Sequence, residues 1–138
     1  MSANTLAITP RFAKAPAAVV SAATTDQTGA TAANIVLLYA ATVAGAPPAD
    51  GQGAILTDVT ITIPATNVAS VVMLFKRVAG TYYPLRTWAI PAVTAGTTVP
   101  GYTLAKQVIN ETVAPGDGFG IATTIAQGTY VTGNIGEY

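Results

Sequence analysis

The chain has 138 residues, 51% apolar and 9% charged, with six basic residues balancing six acidic ones. It contains no Cys and no His, which excludes a disulfide framework, a thiolate nucleophile, a zinc–thiolate site and the usual serine triad. The length suits one domain with one core, and a charge content well below the roughly 25% usual for soluble domains suits a subunit that covers part of its surface with a partner.

In chain order, residues 1–16 are expected to form an extended N-terminal arm and residues 17–138 a single β-domain. The arm carries Pro10 and Pro16 and no sustained periodicity. Its Leu6, Ile8 and Phe12 have no local apolar partner, so they are candidate contacts to a neighbouring subunit. A first strand is expected over 17–25 around Val19 and Val20, and a second over 34–43, apolar on both faces as in a strand covered from both sides. Residues 44–53 carry Gly45, Pro47, Pro48, Gly51 and Gly53, a density of breakers that leaves only a loop.

A third strand is expected over 55–63, with Ile55, Val59, Ile61 and Ile63 on one face and Leu56, Asp58, Thr60 and Thr62 on the other. The fourth and fifth, 70–78 and 81–90, flank Ala79-Gly80-Thr81, the best hairpin signal in the chain, because Gly adopts the positive φ of a tight turn. These three are expected side by side at the centre of the fold. Pro84 lacks a ladder donor, so the fifth strand should lie at an edge or hold a bulge. The sixth strand is expected over 102–113. A Pro115-Gly116 turn follows, then strands over 119–126 and 129–135. About eight short strands and no amphipathic helix indicate an all-β fold, a single antiparallel β-sandwich resembling a jelly roll.

Few residues suggest chemistry. No two carboxylates share a strand face at i, i+2, so no acid–base pair is visible and an enzyme is not expected. Asp50-Gly-Gln-Gly and Pro115-Gly-Asp-Gly each offer one carboxylate, too few for calcium, and read as turns. Gly116-Asp-Gly-Phe-Gly lacks the Lys of a phosphate loop. No cofactor or metal is expected. Lys76-Arg77 is the whole basic patch, so nucleic-acid binding has no electrostatic footprint. No apolar run has the length of a membrane helix, and 15–23 is too short and too early broken by Pro16 for a signal peptide. Tyr82, Tyr83, Arg86 and Trp88 form the best candidate binding group. Alternation places Tyr82, Pro84, Arg86 and Trp88 on one face, either as a flat surface for sugars or another subunit, or as core filling.

The succession Asp26-Gln-Thr-Gly, Asn34-Ile-Val-Leu-Leu-Tyr, Leu56-Thr-Asp-Val-Thr-Ile, Val72-Met-Leu-Phe, Gly80-Thr-Tyr-Tyr-Pro-Leu, Val113-Ala-Pro-Gly-Asp and Gly120-Ile-Ala-Thr resembles the small β-sandwich structural proteins of tailed bacteriophages and prophages. The resemblance spans most of the chain after residue 20. It implies a virion component, foremost a head decoration (cement) protein on the outer capsid surface. Its implied partners are the major capsid protein and further copies of itself, often as a homotrimer, and it carries over no catalytic residue. The alternatives are a carbohydrate-binding module of a phage fibre and a tail structural protein. The former expects Tyr82, Tyr83, Trp88 or Tyr102 exposed together beside Arg86 or Asn110.

Overall fold

The computed structural model describes residues 12–30, 33–41 and 53–138. These form nine strands and no helix: β1 (Phe12–Lys14), β2 (Ala17–Val20), β3 (Val36–Ala40), β4 (Ala54–Ile63), β5 (Ser70–Val78), β6 (Thr81–Ile90), β7 (Tyr102–Val113), β8 (Gly118–Thr123) and β9 (Thr129–Glu137). One sheet runs β1-β9-β4-β7, with β2 also on β9, and the other runs β3-β8-β5-β6. Every ladder is antiparallel. From β2 onward the partners are β2 with β9, β3 with β8, β4 with β7 and β5 with β6. This is the order of one long hairpin, tipped at Ala79-Gly80, rolled into a two-sheet sandwich: the jelly-roll arrangement.

The tip is a two-residue turn. Val78 pairs with Thr81, and the φ values are 50° at Ala79 and 82° at Gly80. Two left-handed residues give the turn whose twist matches its strands. By contrast, β4 does not join β5 and β6 in one central sheet as the sequence suggests. Pro64 ends β4, and residues 64–69 carry the chain across the sandwich before β5 begins. A link of that length has no tight turn to enforce a hairpin.

The main core lies between the sheets. Leu56, Val59, Ile61 and Ile63 of β4 meet Val72 and Leu74 of β5 and Phe119 and Ile121 of β8, all nearly inaccessible. The set differs from strict alternation, because Leu56 is inside rather than Ile55. Against β9, Leu56 pairs with Ile135 and Asp58 with Asn134, so Thr57 is an extra residue. That bulge shifts the phase of the strand by one and turns Asp58 outward. The ladder of β7 on β4 shifts twice, and Asn110 there has φ 52°. Its inward residues accordingly run Tyr102 and Leu104, then Ile109 and Val113.

Pro84 sits on edge strand β6 beside a bulge: Leu74 pairs with Arg86 but Phe75 with Pro84, leaving Leu85 extra. Both alternatives for Pro84 are therefore realised. At the start of the described chain, Phe12–Lys14 pairs with β9 as β1, so the end of the expected arm belongs to the sheet.

Candidate functional site

The outer faces of the two sheets are treated differently by the chain. On the outer side of the β3-β8-β5-β6 sheet, Met73, Phe75 and Ala122 form a second buried cluster with Ile35, Val71 and Tyr82 packed on it. Phe75 is wholly inaccessible because the chain folds its own segment across it. Thr24 N donates to Thr123 O at 2.7 Å, Thr24 Oγ1 donates to Ala33 O at 2.9 Å, and Asn34 Nδ2 donates to Ala23 O at 2.8 Å. Between these ties Gly29, at φ 78°, lies against Tyr82 O and the Phe75 ring. A Cβ there would stand 2.7 Å from that carbonyl, so only glycine fits. Tyr82 meets Phe75 edge to face at 6.2 Å between centroids.

No such cover lies on the outer face of the β1-β9-β4-β7 sheet among the described residues. The ladders place Val19, Tyr130, Thr62 and Thr103 in one row across β2, β9, β4 and β7. Ala17, Thr132 and Thr60 form the next row, and Asn134, Asp58 and Val108 the third. Val108 is 66% exposed, Val19 47% and Tyr130 46%. The face is small and hydroxylated, with exposed apolar residues at two opposite corners, Val19 and Val108, and at Tyr130 beside Val19. Its acidic group is Asp58, nearly buried, which accepts from Asn134 Nδ2 at 2.7 Å and lies 3.8 Å from Lys106 Nζ.

Charge elsewhere is also committed to the fold. Lys76 on β5 and Glu111 on β7 join the two sheets at 3.1 Å, and Lys14 on β1 lies 3.8 Å from Glu137 on β9. Asp117 Oδ1 accepts from Ala79 N at 3.0 Å, tying the Pro115-Gly116 turn to the hairpin tip. Among the described residues no group of three or more acidic side chains could hold a metal ion, and no helix is long and apolar enough to cross a membrane.

The sequence-predicted aromatic group does not form a platform. The bulge at Leu85 breaks the alternation between Tyr82 and Trp88. Tyr82 packs on the outer cluster, while Trp88, with Leu85, packs half-buried on the main core. Tyr102 also packs on the main core. Tyr83 is 53% exposed, and as the next residue to Tyr82 it faces the other side of β6. Arg86 is exposed, with Nη1 donating to Leu85 O at 2.9 Å. An open cleft of about 320 Å³ lies between Thr28–Ala30 and the stretch from Gly80 to Tyr83, with no charged lining residue. Of the arm residues, Phe12 lies in β1 opposite Glu137 and is 39% exposed; Leu6 and Ile8 fall outside the described residues.

Val19, Tyr130 and Val108 were not singled out from the sequence. Alternation along 129–135 does set Tyr130 apart from Val131, but a register is needed to bring Val19 and Val108 to the same face. No family model matches the chain, and neither the curated proteins nor the solved structures hold a match.

Proposed function

We propose that this chain is a virion structural protein of a tailed bacteriophage, a head decoration protein that binds the outer capsid surface in many copies and stabilises it. The observation that supports this is how charge is used. Ten of the twelve charged residues are described (Arg11 and Asp50 are not), and three ion pairs take up six of those ten to hold strands and sheets together. Asp117 braces two turns. What is left outside is mainly Thr, Ala, Gly and isolated Val, a neutral surface suited to close packing against another protein. The resemblance of the sequence to phage structural proteins supplies the partner, the major capsid protein. Phe12, on the edge strand β1, supplies one contact. Tyr83 and Arg86 remain exposed for a second contact.

The test is co-sedimentation of the purified protein with empty heads assembled from the major capsid protein of a tailed bacteriophage. Saturable binding and a higher melting temperature of the heads are expected. Removing residues 1–11 should lower the occupancy. Absence of binding to heads overturns the proposal, and binding to tails instead would move the protein to the other end of the virion.

A further inference from the structure

We infer that the open face of the β1-β9-β4-β7 sheet is where two copies of this chain pair, face to face about a twofold axis. This concerns the chain with itself and does not depend on the capsid as partner. In a twofold contact the same patch meets itself, so a patch with net charge repels its own copy. Among the described residues the charged side chains of this face are Asp58 and Lys106, which pair with each other at 3.8 Å. The face is therefore neutral against itself. Val19 and Val108 stand out from it at opposite corners and Tyr130 beside Val19, with Thr60, Thr62 and Thr132 between them and Thr103 at a third corner.

The edges favour the face as the contact. Strand-to-strand addition needs a regular free edge. The ladder of β7 is broken by two register shifts, β6 carries Pro84 and a bulge, and β3 shifts register between Leu37 and Tyr39. A second copy is thus turned away from three edges. The size of the face sets the strength of the contact. Four strand positions at about 4.8 Å, and six residue steps at about 3.3 Å, give a patch of roughly 400 Å² in projection. Side-chain relief brings the accessible area toward about 600 Å² per copy, the low end of specific interfaces. A reversible, concentration-dependent pair follows, rather than an obligate dimer.

The test is light scattering after gel filtration over a concentration series of the full chain. The mass should rise from 13.9 kDa toward twice that value. Val108→Glu and Thr132→Lys each give the face a net charge that its own copy repels and should weaken pairing roughly tenfold or more, with melting temperatures unchanged. Val99→Glu, at an exposed loop position, should pair as the wild type does. Because the chain has no Cys, Thr132→Cys offers one thiol near the axis, and mild oxidation should give a disulfide-linked dimer. A monomer at every concentration overturns the inference. So does a stable trimer, pairing that survives both charge substitutions, or a monomer that pairs only after residues 1–11 are removed, since the face would then be covered by its own chain.

Discussion

Thr123 is a residue whose chemistry does not match its place. It is wholly buried, and its Oγ1 has no hydrogen-bond partner among the described residues, while its backbone carbonyl accepts from Thr24. A hydroxyl taken from water without a new partner costs about 1–3 kcal/mol. Thr123→Val keeps the shape and removes that cost. We expect stabilisation of about 1 kcal/mol, a rise of roughly 4 °C in melting temperature, read by calorimetry; a lower midpoint would show that the hydroxyl is bonded after all. Gly120 presents the opposite case. It pairs with Phe75 on the covered outer face, and a Cβ there would lie 2.5 Å from Tyr82 Cε1 and 2.8 Å from Ile35 Cγ2. Gly120→Ala forces the Tyr82 ring off the cluster and should cost about 1–3 kcal/mol. The loss should appear in the denaturation midpoint, together with greater exposure of Tyr82. Both effects come from contacts between residues far apart in the chain, which no local pattern could show.

At the scale of elements, the hairpin tip is held from outside as well as from within. Ala79 sits at φ 50°, a conformation unfavourable for a residue with a Cβ, and Asp117 Oδ1 takes its N–H at 3.0 Å. Asp117 also closes its own turn, its N–H donating to Ala114 O, and its carbonyl accepts from Ala41 N. Asp117→Ala should therefore cost about 1 kcal/mol and speed hydrogen exchange at the Ala79 amide above all others in β5 and β6; unchanged exchange there would remove the brace from the account. Much of this level was legible in the sequence. The bounds of β5, β6 and β7, the Ala79-Gly80 tip, the Pro115-Gly116 turn and the sandwich class follow from period 2 and turn residues. What was not legible comes from bulges and crossings. Thr57 re-phases β4 and exchanges Ile55 for Leu56 in the core, and Leu85 parts Tyr82 from Trp88. The link 64–69 sends β4 to the other sheet. A bulge adds one residue without changing composition, so alternation alone places it nowhere. The candidate surface was hidden for a related reason: its rows join residues 19, 130 and 108, and only the ladder register aligns them.

The whole molecule is a roll whose first strands pair with its last, from opposite ends of the described chain. Residues 17–20 pair with 129–132, and 12–14 with 135–137. Such pairings close long loops before they are rewarded, so folding should take milliseconds to seconds rather than microseconds. Trp88, half-buried on the main core, makes stopped-flow fluorescence a direct readout. During that time the strands are exposed, and the devices that guard the native edges (Pro84 and the bulges) and the outer face at Phe75 (the covering segment) are not yet in place. The chain brings little charge to keep the open forms apart: 9% charged residues, zero net charge and a pI near 6.0. Like-charge repulsion between partly folded chains is then weakest near that pH. Refolding yield should fall as chain concentration rises, most steeply near pH 6. It should recover in part at pH 9, where the six acidic and six basic side chains still balance but loss of the terminal amine's proton leaves a net charge of about −1. The native protein, once formed, should not show the same loss, because its strands are already paired within the two sheets and the face left open forms only a reversible pair. Turbidity measured in parallel on refolding and native samples checks this; equal aggregation of both at pH 6 would mean that the native edges are not guarded.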